Sequence, residues 1–172
     1  LFHALRFAFL ILAQQKELYV LHSASFLYRG RAFLVSGSSG TGKSTHSALW
    51  HDLYQTPLLN GDLNLLGIRD NIPYAYGLPW CGTSGICTPK DYPLGGIIFL
   101  KQAAIDQVQS LQPDEKVLHI LQRMISPAWT KELLLRNLHF SEALAPLIFS
   151  CRLYCTKEPS AARTLKAAID AL

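Results

Sequence analysis

The fold is decided by the stretch Gly37-Ser38-Ser39-Gly40-Thr41-Gly42-Lys43-Ser44. This stretch fits the pattern G-x-x-x-x-G-K-[ST] in full, and it follows the apolar segment Phe33-Leu34-Val35. The residues after it, Lys43 to Leu53, favour a helix. A strand before the loop and a helix after it form the context in which this pattern makes a phosphate-binding loop (P-loop). The sequence therefore predicts a nucleotide-binding protein of the α/β class, with a chance match to a glycine-rich turn as the alternative.

Each part of this loop is suited to binding a nucleotide phosphate. Its glycines let successive backbone N–H groups point inward and form a cradle for the β-phosphate. The helix adds the positive end of its dipole, and the Lys43 ammonium is expected to neutralise β- and γ-phosphate oxygens. The Ser44 hydroxyl is a predicted Mg²⁺ ligand. With ATP and Mg²⁺ as the predicted cofactors, the candidate binding residues are Gly37, Ser38, Ser39, Gly40, Thr41, Gly42, Lys43, Ser44 and Thr45.

A carboxylate that steers the metal should lie at the end of a neighbouring strand. Asp62 follows the short apolar pair Leu58-Leu59 and is the best candidate for a catalytic and metal-ligating acid. The alternative is an ordinary turn residue beside Gly61. Arg123 ends a predicted helix and is a candidate clamp on the transferred phosphoryl group, although a cation there also complements the helix dipole.

Length and composition set the limits of the interpretation. The chain has 172 residues, of which 49% are hydrophobic and 16% charged, so we expect a single domain over residues 1–172 and neither a disordered chain nor a coiled coil. The net charge of +4 suits an anionic ligand, but no long Lys/Arg run indicates a nucleic-acid partner.

The apolar start, 1–13, is too short to span a membrane, and we expect 1–16 to be a buried helix at the end of a truncated N-terminal segment. The low proportion of charged residues also suggests an apolar surface that faces a partner or a missing segment, and a homo-oligomer is one option.

Hydrophobic periodicity and turn residues predict the other elements. The order of elements favours a mixed sheet with flanking helices and a helical C-terminal part. The predicted strands are 17–28, 32–36, 58–59, 63–69, 73–76, 94–102 and 147–154, the predicted helices are 43–53, 114–124, 130–144 and 159–172, and 78–93 is a long loop.

Four cysteines occur at spacings that are typical of neither zinc sites nor redox motifs, namely Cys81, Cys87, Cys151 and Cys155. We expect buried, reduced thiols in a cytoplasmic protein, with a metal site as the alternative. His46 and His51 are expected at the surface of the helix after the loop. Thr83 and Ser84, in a Gly-rich turn, are candidates for binding phosphate or metal-bound water.

Several segments resemble a known family. The stretch Leu21-His22-Ser23-Ala24-Ser25, the turn at Arg29-Gly30, the glycine-rich loop and the acidic strand end look like the catalytic domain of HPr kinase/phosphorylase, whose core is shared with ATP-dependent phosphoenolpyruvate carboxykinases. The later segments Gly77–Gly82 and Tyr92–Leu100 resemble the smaller HPr-kinase-like proteins of bacterial peptide-modification gene clusters. The resemblance implies a P-loop-containing mixed sheet core of that type.

The resemblance also implies roles for two residues. His22 matches a histidine that lies near the transferred phosphate in those kinases, and Asp62 matches an acid in their acidic strand end. The family usually has two adjacent acids there, whereas this chain has Gly61-Asp62.

Two functions remain open from the sequence. The first is a kinase that transfers the γ-phosphoryl group of ATP to a serine hydroxyl of a peptide or small protein. The second is a nucleotide-binding accessory or regulatory module with little turnover, which the missing second acid favours. We do not expect a carboxykinase activity from these 172 residues, because those enzymes are far longer and use an additional domain, although a protein of this kind could carry that label by homology.

Overall fold

One mixed sheet of eight strands organises the computed structural model, which describes residues 2–81 and 84–172. Five α-helices accompany the sheet in these residues. The strands are β1 (Tyr19–Tyr28), β2 (Arg31–Ser36), β3 (Leu58–Asn60), β4 (Leu63–Arg69), β5 (Ile72–Tyr76), β6 (Tyr92–Gln102), β7 (Gln107–Ser110) and β8 (Phe149–Cys155), and the helices are α1 (Phe2–Gln15), α2 (Lys43–Tyr54), α3 (Pro113–Arg123), α4 (Lys131–Leu144) and α5 (Pro159–Asp170).

The sheet is mixed because two kinds of connection build it. The strands β2, β6 and β8 run parallel, and long connections that contain helices join them in sequence. The pairs β1–β2 and β4–β5 are antiparallel hairpins, with turns at Arg29-Gly30 and Asp70-Asn71 that all have positive φ. Since β1 also pairs with β4, and β5 with β6, the prediction of a mixed α/β sheet is confirmed.

Helices cover both faces of the sheet. The side that α2 and α5 cover is filled by Trp50 and Leu165 against strand residues such as Ile98 and Leu153. The side that α3 and α4 cover has its own cluster, and α1 packs over β1 and β4 in a third. No helix within residues 2–81 and 84–172 is long and apolar enough to cross a membrane.

Most predicted elements are present within a few residues of their predicted bounds. The strand β7 was not predicted, because Gln-Val-Gln-Ser has little apolar character, and its pairing with β8 specifies it instead. The buried thiols of Cys151 and Cys155 are confirmed, and burial raises their pKa values to about 12 and about 11. The prediction of reduced thiols is wrong for Cys81 and Cys87, whose sulfur atoms are bonded to each other.

His46 is a second correction. Its side chain is 2% exposed, whereas His51 is exposed as expected. His46 lies one helical turn before Trp50, so both point from α2 into the core. Burial lowers the pKa of His46, and the nearby backbone of Thr156 and carboxylate of Asp106 oppose this shift.

The anchor of α2 provides a test of this packing. Trp50 is fully buried and stacks on Phe26, with a distance of 4.3 Å between ring centroids. We expect Trp50→Ala to lower the free energy of unfolding by about 3–5 kcal/mol, since it removes a large buried ring and leaves a cavity. Urea denaturation measures this change. The matched control is Trp129→Ala, because Trp129 is 58% exposed and its removal should cost about 1 kcal/mol or less. Equal losses in the two variants would contradict the assignment of Trp50 as the anchor.

Candidate functional site

The glycine-rich loop connects the end of β2 directly to the start of α2. Gly40 and Gly42 have φ values of 77° and 101°, which are strained for any other residue. A Cβ atom on Gly37 would lie 2.5 Å from Oγ1 of Thr41, so this position also has no room for a side chain. The first turn of α2 has no side-chain cap, whereas Ser44 and Thr45 are exposed. The loop is therefore tight, and the start of α2 is open to a ligand.

Lys43 lies folded over this loop. Its Nζ donates to the carbonyl oxygens of Gly37 at 3.2 Å and Ser38 at 3.3 Å. Burial and then the positive charge of Arg123 lower the pKa of Lys43, while the carboxylate of Asp62 opposes them. The ammonium is thus positioned over the loop, and the carboxylate of Asp62 is an anion that acts on it.

His22 and Asp62 form the second half of the site. The Nε2 atom of His22 lies 3.4 Å from Oδ1 of Asp62. The two come together because β1 pairs with β4 through His22 and Leu63, and the backbone N–H of Ser23 donates to the carbonyl of Asp62 at 3.0 Å. The hydroxyl of Ser36, the last residue before the loop, donates to the carbonyl of His22 at 2.8 Å. Backbone and side-chain hydrogen bonds therefore connect His22 to both the acid and the loop.

Asn60 holds the Asp62 turn in place, and the sequence analysis missed it. Its Oδ1 accepts hydrogen bonds from the backbone N–H groups of Asp62 at 2.9 Å and Leu63 at 3.1 Å. Its Nδ2 donates to the carbonyl of Trp80 at 2.9 Å, and Trp80 itself packs edge-on against Phe9. The sequence signal for this role was the Asn directly before Gly61-Asp62, because Asn favours turns in which its side chain forms hydrogen bonds with the backbone.

Gly61 packs directly against Ser84. A Cβ atom at this position would lie 2.1 Å from Oγ of Ser84. The Ser84 hydroxyl is held there, because it donates to the carbonyl of Cys81 at 2.7 Å and accepts from the N–H of Ile86. An acidic side chain at 61 would therefore require the segment around Ser84 to move. Thr83, the neighbouring candidate, lies outside the described residues.

Arg123, the last residue of α3, contacts the glycine-rich loop. Its guanidinium donates to Oγ of Ser38 at 3.3 Å. The segment after α3 runs beside β1, where Met124 bridges Leu21 and the N–H of Ile125 donates to the carbonyl of Val20 at 2.9 Å. The structure thus brings Arg123, which is distant in sequence, to the glycine-rich loop.

The electrostatics of the site are dominated by positive charge. Burial and then Lys43 lower the pKa of His22, Asp62 raises it, and Arg123 and Arg6 lower it further. The neutral imidazole is therefore favoured, and this form accepts a proton. Among the described residues no cluster of three or more His, Cys, Asp or Glu side chains is present. Asp62 and Ser44 offer hard oxygen donors, and such a pair fits Mg²⁺, which usually takes one or two carboxylates together with substrate phosphates.

The His22–Asp62 contact predicts a measurable coupling. We expect Asp62→Asn to lower the pKa of His22, because the variant removes the negative charge that stabilises the imidazolium. NMR titration of the imidazole resonances measures this pKa. Asp52→Asn, at an exposed position of α2, is the matched control and should leave the pKa of His22 unchanged. A rise in the pKa after Asp62→Asn would contradict the observed contact.

No family model matches the chain, and no curated protein matches it. Among solved structures, the chain is similar to the HPr(Ser) kinase/phosphatase from Coxiella burnetii, with a TM-score of 0.45 and 8% sequence identity over 88% of this chain and 93% of that chain. A similarity at this level identifies neither a family nor an activity for this chain.

Proposed function

We propose that this protein binds ATP with Mg²⁺ and transfers the γ-phosphoryl group to a hydroxyl of a peptide or small protein. The observation that supports this function best is that one site combines three features. They are the tight glycine-rich loop, the Lys43 ammonium that lies over it, and the His22–Asp62 pair at 3.4 Å. A cradle for phosphate, a charge to neutralise it and a base for the acceptor are the parts that phosphoryl transfer requires.

In the proposed reaction, each residue has a defined action. The loop amides and Lys43 hold the β- and γ-phosphates, and Arg123 neutralises charge on the γ-phosphoryl oxygens. His22 accepts the proton of the acceptor hydroxyl as its oxygen bonds to the γ-phosphorus. The bond from the γ-phosphorus to the β–γ bridging oxygen breaks, and ADP leaves with that electron pair. Asp62 orients the imidazole and, with Ser44, would hold Mg²⁺, which supplies further charge neutralisation at the phosphates.

A binding module with little turnover is the second candidate. It is favoured by Gly61, because the space that a second acid would need is filled by Ser84. One carboxylate must then serve both the metal and the imidazole. Turnover separates the two candidates, since transfer of labelled phosphate from ATP to an added peptide indicates a kinase, whereas tight ATP binding without product indicates a module.

Removal of Lys43 tests nucleotide binding. We expect Lys43→Ala to weaken ATP binding by about 10-fold or more, because the variant removes a charge-assisted contact to phosphate, while the fold survives. Calorimetric titration with Mg²⁺ and ATP measures the affinity, and circular dichroism checks the fold. Lys131→Ala, at an exposed position on α4, is the control. Unchanged affinity in Lys43→Ala would refute the assignment of the loop as a phosphate site.

Removal of His22 tests the base. We expect His22→Ala to lower turnover by about 10²–10⁴-fold with little change in ATP affinity. Because the pKa of His22 is lowered, the wild-type rate should hold through pH 6.5 and fall only below it, where the imidazole becomes protonated. The pH–rate profile of His22→Ala should lack this acid limb. A variant that turns over normally, or one that loses ATP binding instead, would show that His22 is not the base.

A further inference from the structure

The Gly61-Asp62 turn joins two strands that both pair with β1. The strand β3 ends at Asn60, which lies opposite Ser25 of β1, and β4 begins at Leu63, which lies opposite His22. The strand β1 therefore runs beside both ends of the turn, and its side chains can reach each end.

The hydroxyl of Ser25 connects the residues on the two sides of the turn. Its Oγ accepts a hydrogen bond from the backbone N–H of Asn60 at 3.1 Å, and it donates to Oδ1 of Asn64 at 2.7 Å. Asn60 comes directly before Gly61, and Asn64 is the second residue after Asp62. One hydroxyl of β1 thus binds the end of β3 and the start of β4.

Asn64 closes the connection on the other side of Asp62. Its Nδ2 donates to the backbone carbonyl of Ser23 at 2.8 Å and to Oγ of Ser23 at 2.9 Å. The N–H of Ser23 donates in turn to the carbonyl of Asp62 at 3.0 Å, and the N–H of Asp62 donates to Oδ1 of Asn60 at 2.9 Å. These hydrogen bonds form a closed ring, the Asp62 ring, through Ser25, Asn60, Asp62, Ser23 and Asn64. Both backbone groups of Asp62 therefore have a partner in the ring.

The Asp62 ring is set into the core of the sheet. Its two serine and two asparagine side chains are buried, and none is more than 5% exposed. Leu21 and Leu66, the neighbouring side chains on the same faces of β1 and β4, belong to the apolar core. Hydrogen bonds are stronger in such surroundings, and a polar network whose members are bonded to one another rigidifies the backbone that it contacts.

The carboxylate of Asp62 points away from the ring into the site. Its Oδ1 lies 3.4 Å from Nε2 of His22, and 33% of the side chain is exposed. The ring thus holds the backbone of Asp62 from the core, whereas the carboxylate stays open to a ligand. Since Ser25 and Asn64 are buried, they act on a ligand through Asp62.

We propose that Ser25 and Asn64 are positioning residues, which fix the backbone of Asp62 so that its carboxylate is preorganised to bind Mg²⁺ with Ser44. This inference rests on the proposed function, because it assigns the support of the metal ligand in that site. A carboxylate on a loose turn would lose conformational entropy when it binds the metal. A backbone that is already fixed avoids this cost.

Hydrogen exchange tests the ring without any ligand. In the full chain, Ser25→Ala should lower the protection of the Asp62 amide about 10-fold or more, because the turn loses its connection to β1. NMR measures the exchange of single amides, and those of the β4–β5 hairpin should keep their protection. The matched control is Ser141→Ala, since the fully buried Ser141 donates to the carbonyl of Asn137 at 2.8 Å on α4, outside the ring. Unchanged protection of Asp62 in Ser25→Ala, or equal losses in both variants, overturns the proposal.

Asn64→Leu provides a second variant of the ring. It removes the amide and keeps a side chain of similar size, and it should cause the same loss of protection at Asp62. Circular dichroism checks the fold of each variant, and Asn64→Leu decides by the same criterion when Ser25→Ala does not fold. If neither variant folds, the ring is required for the fold as a whole, which overturns the positioning role.

The metal dependence of ATP binding tests the positioning role itself. In calorimetry, Ser25→Ala should weaken ATP binding about 10-fold in the presence of Mg²⁺ and leave the metal-free affinity unchanged, because Asp62 would contact the metal rather than the phosphates. Ser141→Ala should change neither affinity. An equal loss with and without Mg²⁺, or no loss, overturns the positioning role. A wild-type chain that binds no ATP refutes the proposed function instead, and hydrogen exchange then decides whether the ring fixes Asp62.

Discussion

The site depends on the hydrogen bonds that β1 makes along both of its edges. The half from Ser23 to Tyr28 pairs with β2, which ends at the glycine-rich loop. The half from Tyr19 to His22 pairs with β4, which begins immediately after Asp62. His22 lies where the strand changes partners, so the strand that ends at the loop and the strand that begins after the acid both adjoin this residue. Packing of Trp50 and α2 on one face and of α1 on another fixes this strand without using any group of the site.

Packing restricts position 61, directly before Asp62, to a residue without a side chain. Ser84 occupies the space that a side chain at position 61 would need, and two hydrogen bonds hold its hydroxyl. Asp62 is the acid that acts on both Lys43 and His22, and both of these groups also experience the positive charge of Arg123. Groups of like charge held close together destabilise the folded chain, and binding of an anion would offset this cost. Burial, and after it the neighbouring cations, lower the pKa values of Lys43 and His22, and these cations favour an anionic ligand.

Local sequence patterns predicted most of the strands and helices, and the glycine-rich loop predicted where β2 ends and α2 begins. The tight turn of the loop at Gly40 and Gly42 could be predicted, because a positive φ is a local property of the backbone that glycine allows. The contact of Arg123 with Ser38 depends on the packing of a whole helix, and no local pattern encodes it. His46 was misplaced because its helix has a weak apolar pattern, and its burial became clear only from the neighbouring Trp50.

Binding and proton transfer are coupled in the proposed reaction through His22. The lowered pKa of His22 results from burial and from cations whose fields a bound nucleotide would partly cancel. A nucleotide without a metal would therefore raise that pKa and favour the imidazolium, which cannot accept a proton. Charge neutralisation at the phosphates by Mg²⁺, together with the cations of Lys43 and Arg123, would limit this rise. In the proposed kinase, the excess of cations around His22 thus has two effects, since it attracts the anionic substrates and keeps the base neutral after they bind.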